Sequence, residues 1–454
     1  MNIVILAAGK GSRMKSSLTK VLHQIGGQSM ISHVVRTEIS LKPRNIFIVV
    51  SENKKDIEAE LAPFNKPDFK IVFIDQNPAL GTGHAVMLVA PKLDTFYDTL
   101  ILYGDVPLVS SDSLKILCKK PDKAVLRILT AVIEDPKGYG RIIRDDNDLI
   151  KNCIEERDAT KHEKNINEIN TGIMFATTKE LIGWLTKLDN NNAQNEYYLT
   201  QIISIANADN VSVFPVTALD AEEVSGVNSQ VQKSTVERIF QKKCAIEFSE
   251  KGLEINDINR FDIRGELIFD DDVRVDVGCL FIGKVTIGKG VSIEPYCIIK
   301  NSSIGSNTTI KAFTHIENSV IGSESTIGPY SRLRPKTQID KNCKIGNFVE
   351  TKNIKLNENS KVNHLSYIGD AQVGKNVNIG AGTITCNYDG QEKHQTTIED
   401  DSFIGSNSEL IAPVTVKKGA TIGAGTTLSE DAPEKSLTLS RTKQVSIASW
   451  KKSK

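Results

Sequence analysis

The chain is predicted to fold as an open, mostly parallel α/β sheet over its first half and a parallel β-helix of three-sided coils over its second. Three observations carry this. An aliphatic residue returns every sixth position from about Ile287 to Leu428, as in Ile321, Ile327, Leu333, Ile339, Ile345 and in Ile398, Ile404, Leu410, Val416, Ile422, Leu428. The first half instead alternates short Val/Ile runs with amphipathic stretches. Between the halves, Val231, Val236, Phe240 and Ala245 recur at roughly helical spacing. The expected organisation is an α/β domain over 1–228, a helical linker over 229–250, and a β-helix with a carboxyl tail over 251–454.

A period of six fits neither the 3.6-residue helix nor the heptad, but it divides by two and so suits short strands with a corner after each. Shorter runs keep the step: Ile287, Ile293, Ile299; Ile304, Ile310, Ile316; and Leu356, Val362, Ile368. Gly follows many of these residues, as at Gly305, Gly328, Gly346, Gly380, Gly405 and Gly423. Three sides close one coil, and each coil buries its apolar side chains against the next. At a strand spacing of about 4.8 Å, roughly eight coils make a rod on the order of 40 Å long. A phase held over so long a stretch argues against a β-sandwich. It lapses between Ile379 and Ile398, where GAGTITCNYDGQEKHQT is expected to bulge out as a loop.

Composition narrows the function. Among 454 residues, Lys plus Arg and Asp plus Glu both total 56, so the formal charge is zero. Nucleic acid and membrane surfaces are therefore not expected partners, and an anionic ligand must be held by a local cluster. The seven Cys lack CxxC pairing, which points neither to structural zinc nor to a disulfide framework. The opening MNIVILAAGKGSRM has no basic region before its apolar run and reads as a strand rather than a signal peptide. No apolar run approaches the ~20 residues of a membrane span. A soluble, cytoplasmic protein is expected.

In the first half, strands are expected at Ile3–Leu6, Ile46–Val50, Ile71–Ile74, Leu100–Leu102, Val125–Ala131 and Gly172–Phe175. Ligands of such sheets sit beyond the carboxyl ends of the strands. The first strand delivers LAAGKGSRM, whose small residues let main-chain N–H groups approach an anion. It matches neither the dinucleotide fingerprint, since Met14 replaces the third Gly, nor GxxxxGK[ST]. Tyr103-Gly104-Asp105 then ends a strand with a carboxylate where Mg²⁺ bridging phosphates would lie. QNPALGTGHA, KGYGRI, IEERDA, EINTGI and EYYLT follow.

These motifs, with KVLH and Val227-Asn228, resemble the sugar-1-phosphate nucleotidyltransferases. With the hexads behind them, nearly the whole chain resembles the bifunctional bacterial N-acetylglucosamine-1-phosphate uridyltransferase / glucosamine-1-phosphate acetyltransferase family. The resemblance implies a left-handed β-helix, a homotrimer, UTP and acetyl-CoA as co-substrates, and Mg²⁺. It implies that Leu6, Ala7, Ala8 and Gly9, with Gln76, Gly81 and Thr82, bind the nucleotide. Arg13 and Lys20 would neutralise the triphosphate, and Asp105 and Asn228 would ligate Mg²⁺. Tyr103, Gly104, Gly140, Glu155 and Asn170 would surround the amino sugar. The implied step is in-line attack of a sugar phosphate oxygen on the α-phosphorus of UTP, which needs positioning and charge neutralisation rather than a side-chain nucleophile. Thr19 departs from the family, which has Pro before the Lys.

On the ladder, His364 falls two places past the inward Val362, with Arg334, Lys352 and Tyr367 on nearby coils. The resemblance implies that Arg334, Lys352, Tyr367 and Asn378 hold glucosamine-1-phosphate. His364 would serve as general base, a role that suits an imidazole. Ala381, Asn387, Tyr388, Ser406, Ala424 and Arg441 would line the acetyl-CoA groove. A rival reading is a single-activity nucleotidyltransferase whose β-helix only assembles or regulates; His364, Asn387-Tyr388 and Arg441 are what a passive rod would not need. A non-catalytic assembly protein is disfavoured by the presence of Arg13, Lys20, Asp105 and Asn228.

Overall fold

The computed structural model describes residues 1–451 apart from 10, 53, 66–68, 120–125 and 193. Lys10 of the Gly-rich loop and Val125, at the expected start of one strand, lie outside the described residues. The chain divides into two compact units, Met1–Phe240 and Gln241–Lys454, and the helix Gln230–Glu250 runs through the division.

In the front unit, β1 (Asn2–Leu6), β2 (Asn45–Val50), β3 (Lys70–Asp75) and β4 (Thr99–Tyr103) are mutually parallel, with β1 between β2 and β4. Every β1 residue is buried, because helices cover both faces and the strand must be apolar on both sides. Beyond β4 the sheet continues through β8 (Glu168–Ala176), antiparallel to both its neighbours, then β5 (Leu126–Val132) and β9 (Val213–Thr217). A hairpin of β6 (Gly140–Arg144) and β7 (Ile150–Ile154) joins β8 at Asn170. This hairpin and β9 were not expected from the sequence: GRIIR has too few residues to declare an alternation, and KGYGRI reads first as a turn.

The rear unit carries the expected stack and extends it. Ile255, Val275, Ile293, Ile310, Ile327, Ile345, Val362, Ile379, Ile404, Ile422 and Thr438 pair residue by residue in parallel down one face of eleven strands. The eight coils expected are thus too few. Within the ladder, steps of five interrupt steps of six and split the aliphatic pattern into shorter runs. Ile299 to Ile304, Ile316 to Ile321 and Leu356 from Thr351 are such short sides, and Asn301, Asn318 and Asn353 turn them at φ of 45°, 45° and 50°. Asn tolerates this left-handed backbone better than other residues with a Cβ.

The expected loop after Ile379 is also shorter than read. The coil continues, with Ile384–Cys386 pairing to Tyr367 on one side and to Glu409–Ile411 on the other. Thr385 occupies the inward position, buried, its hydroxyl accepting from Gly369 N–H at 2.7 Å and donating to Gly369 C=O at 2.9 Å. A satisfied hydroxyl replaces an aliphatic residue there, so the apolar pattern breaks while the coil does not. Only the segment from Asn387 to Gln395 leaves the prism before Thr396 rejoins it. One corner of the prism bears Tyr296, Phe313, Tyr330 and Phe348 as stacked rings with centroids 5.3, 4.9 and 5.5 Å apart, all well exposed.

Helix α1 (Met30–Ile39) buries Glu38 completely with neither carboxyl oxygen bonded, and burial pushes its pKa up to about 8. Below the unfolded range near 4.5 the carboxyl is neutral in both states; between there and about 8 only the unfolded chain ionises, so stability falls as pH rises through that window. Glu38→Gln should therefore melt several degrees above wild type at pH above 8, with the gap closing towards pH 4.5 in a series of thermal melts.

Candidate active site

The front unit opens at the carboxyl edge of its parallel strands into a cavity of about 670 Å³. Register places the edge: Leu6 at the end of β1 pairs with Tyr103 at the end of β4, and Gln76 follows β3. Leu6, Ala7, Ala8, Gly9, Lys20, Gln76, Gly81, Thr82, Tyr103, Asp105 and Asn228 all line this cavity. Gly104 anchors its floor, donating to Leu6 C=O at 3.0 Å, and its closeness to Ile31, Val21 and Ala7 leaves no room for a side chain. Arg13, in the single turn Ser12–Met14, is exposed and does not line the cavity.

At one end of the cavity Lys20 pairs with Asp105, both side chains only 13% exposed, and also donates to the Asn228 amide oxygen at 3.1 Å. The approach of Val227 N–H to Asp105 C=O, 2.9 Å, brings Asn228 to this point from far along the chain. Thr19 holds φ −53° and ψ 135°, a backbone that proline would also adopt, so its substitution leaves Lys20 in place. Two hard oxygen donors thus converge on one cation, a donor set suited to Mg²⁺ completed by phosphate and water.

The other end is built by a kink in β8. Its pairing with β5 shifts register between Asn170 and Met174, and Gly172 turns at φ 82° with no room for a Cβ against the Tyr103 ring. Asn170 accepts from Gly172 N–H at 2.9 Å. Gly140, paired with Asn170 of β8, lies close enough to the Cys153 sulfur that a Cβ would meet it, with Glu155 also beside it. Gly140, Glu155 and Asn170 therefore form one cluster behind Tyr103 rather than part of the open cavity wall. Burial pushes the Glu155 carboxyl up while the Thr200 hydroxyl, 3.1 Å away, opposes it. Burial, then the charges of Glu155 and Asp105, raise the Tyr103 phenol, which stays a donor. Gly138, Tyr139, Thr171, Glu196 and Gly226 also line the cavity and were not singled out, although each lies in or beside a stretch whose spacing drew notice.

In the rear unit, register brings the expected residues into columns one coil apart. His364 pairs with Asn347, whose amide oxygen lies 2.7 Å from its Nδ1. An amide oxygen only accepts, so Nδ1 donates this bond, and in the neutral ring the lone pair then falls on Nε2. Asn378 stands on the next coil of that face. Tyr367 pairs with Glu350, which accepts from Arg334 at 2.8 Å. The ammonium of Lys393, from the excursion, holds Lys352 below its ordinary value, with Arg334 adding to the same effect. Arg334, Lys352 and Lys393 thus stand close enough to act on one another, with Glu350 bonded to Arg334. Asn347 could have been found by counting back one coil from His364; Lys393 has no such signal.

The last column follows the excursion. Asn387, buried, donates to Asp370, and Tyr388 is exposed with its hydroxyl on Gly390 C=O at 2.7 Å. Ala381, Ser406 and Ala424 take the same corner on consecutive coils, because the preceding glycines Gly380 and Gly405 sit against Ser406 and Ala424 backbone. Arg441 closes that row, donating to Ala424 C=O at 2.9 Å. A second cavity, of about 300 Å³, lies along Gln372, Glu399, Asp400 and Lys418 and includes none of these residues.

Comparison with known proteins agrees in both units. The MobA-like NTP transferase domain matches residues 3–145, the GMPPB C-terminal domain 263–337, and the hexapeptide repeat of succinyl-transferase 395–430, in keeping with a left-handed parallel β-helix. The chain is 49% identical over 452 residues to the bifunctional protein GlmU of Janthinobacterium sp. (strain Marseille), covering 100% of this chain and 99% of that one. It is 47% identical to the protein of that name from Cupriavidus pinatubonensis (strain JMP 134 / LMG 1197), with 100% and 98% covered, and 47% identical to that of Herminiimonas arsenicoxydans, with 100% and 99%. At this identity over its whole length, the chain belongs to the family of bifunctional GlmU proteins.

Proposed function

We propose that the rear unit transfers acetyl from acetyl-CoA to glucosamine-1-phosphate, and that the front unit transfers uridylyl from UTP to the resulting N-acetylglucosamine-1-phosphate, releasing pyrophosphate. Lys20, shared between Asp105 and Asn228 at the floor of the front cavity, carries the reading. A cation at that point, beside two oxygens fit to hold Mg²⁺, supports binding of the triphosphate there. Bound there, Mg²⁺ would neutralise developing phosphate charge. Arg13 reaches the same phosphates from the exposed turn beside the loop. Gln76 and the Gly81 main chain read the base, Leu6 to Gly9 and Thr82 bracket the nucleotide, and Tyr103, Gly140, Glu155 and Asn170 hold the sugar. The sugar phosphate oxygen attacks the α-phosphorus in line, and the gain over solution comes from orientation and charge neutralisation.

In the rear unit, Arg334 and Lys352, with Lys393, take the sugar phosphate. His364 Nε2 removes the amine proton as nitrogen attacks the thioester carbon; the C–N bond forms, the C–S bond breaks, and the thiolate of CoA leaves with a proton returned. Asn347 fixes the tautomer this requires. Tyr367 and Asn378 flank the amine, and Ala381, Asn387, Tyr388, Ser406, Ala424 and Arg441 line the CoA track. The exposed aromatic column supports assembly as a homotrimer, in which a neighbouring prism would close sites that lie open on one copy. No helix among the described residues is long and apolar enough to cross a membrane, and all seven cysteines are free, which supports a cytoplasmic enzyme.

With glucosamine-1-phosphate, acetyl-CoA, UTP and Mg²⁺ supplied together, free CoA and pyrophosphate are followed separately. Asp105→Ala should stop pyrophosphate release and spare CoA release; His364→Ala should abolish CoA release yet still make nucleotide sugar when N-acetylglucosamine-1-phosphate is added. Either variant silencing both steps while folded would refute the two-site assignment. Gly172→Ala should displace Tyr103 and lower kcat/KM for the sugar phosphate in the uridylyl step by at least about tenfold, leaving acetyl transfer unchanged.

A further inference from the structure

The base-reading end of the front cavity contains a group that the chemistry above does not use. His84 is the third residue of α2 (Thr82–Val89), half-buried, with its Nδ1 3.1 Å from Gln76 Nε2. Gln76 Nε2 also donates to Gly81 C=O at 2.9 Å. An amide NH₂ has two hydrogens, and both are thereby committed. A carbonyl oxygen can only accept, so the amide cannot be reversed without setting oxygen against oxygen at Gly81. Nδ1 must then also accept, which requires the neutral imidazole with its proton on Nε2. Burial holds His84 below its ordinary value and so favours that form.

Gly81 itself is locked. It turns at φ 108°, and a Cβ there would meet Tyr197 backbone, while Tyr197 donates to Leu80 C=O at 2.9 Å and accepts from Gly83 N–H at 2.7 Å. The Tyr197 ring lies over His84 with centroids 6.4 Å apart. The result is a Gln76 side chain, 4% exposed and lining the cavity, that has only its oxygen left for a ligand.

We propose that His84 is a positioning residue for pyrimidine discrimination: by accepting the second Gln76 N–H, it keeps the Gln76 amide oxygen aimed at the base edge. This rests on the uridylyl-transfer reading. A uracil ring carries a donor at N3 and meets that oxygen with a hydrogen bond; a cytosine ring carries a lone pair at N3 and meets it with repulsion. A base that leaves the buried oxygen facing a lone pair loses far more than one hydrogen bond, which is how such sites discriminate.

The test compares kcat/KM for UTP and CTP, with N-acetylglucosamine-1-phosphate and Mg²⁺, in wild type, His84→Leu and His84→Asn. Asn can place an acceptor oxygen where Nδ1 stands; Leu fills the space without one. Expected is a UTP:CTP ratio about tenfold lower in His84→Leu, carried mainly by a higher KM for UTP, and a ratio within about twofold of wild type in His84→Asn. His84→Ala serves the same comparison if leucine is not accommodated. An unchanged ratio in the leucine or alanine variant overturns the proposal, as does an asparagine variant no better than leucine, since bulk and not acceptance would then be at work. Wild type inactive with UTP would instead overturn the uridylyl reading beneath it.

Discussion

Both units depend on one constraint, the direct register of parallel strands. Main-chain hydrogen bonds between parallel neighbours are evenly spaced, so residues pair one against one along the whole ladder, and any side chain's position follows from its distance to a corner or a strand end. In the front unit this sets Leu6 beside Tyr103, opening the Gly-rich loop over the strand that delivers Asp105. In the rear unit it sets Asn347 beneath His364 and Glu350 beneath Tyr367, one coil apart. The active groups lie far apart in the sequence and are brought together by counting, with little bending of the backbone.

The glycines show how tight this register is. At Gly305, Gly322, Gly346 and Gly405 a Cβ would fall between 1.8 and 2.5 Å from the backbone of the next coil, so the corners have no slack for an ordinary side chain. Several polar groups inside the prism are likewise satisfied within it, although the buried Thr314 and Thr396 hydroxyls find no partner. Ser360 donates to Gly374 C=O at 2.7 Å and accepts from Val377 N–H at 3.0 Å, as Thr385 does with Gly369. Their presence weakens the apolar pattern but not the fold, because each is fully bonded.

This explains what was legible in the sequence. The prism was, since its six-residue step belongs to no other common architecture, and so was the carboxyl edge, since Gly-rich and Tyr-Gly-Asp motifs end apolar runs. The span of the excursion was not, because the inward Thr385 erases the aliphatic signal while leaving the geometry intact, and five-residue sides break the ladder into shorter runs. Of the front-site residues, those on parallel strand ends were readable; Tyr139, Thr171 and Glu196 were not, since the hairpin, the β8 kink and the 192–201 turn bring them in through tertiary contacts with no local period. Arg13, read as a partner of the triphosphate, stands exposed in the turn beside the cavity. Lys393 sits on the excursion, bridged to Tyr388 within it and outside the register of the prism.

The central claim is that a single chain carries two separate reaction centres, one in each unit. Equilibrium titration tests it most directly: the intact protein is saturated with CoA and titrated with UTP and Mg²⁺, then the order is reversed. The account predicts one UTP and one CoA bound per chain, each with the affinity it has alone. Displacement of either ligand by the other would show a shared site and contradict it.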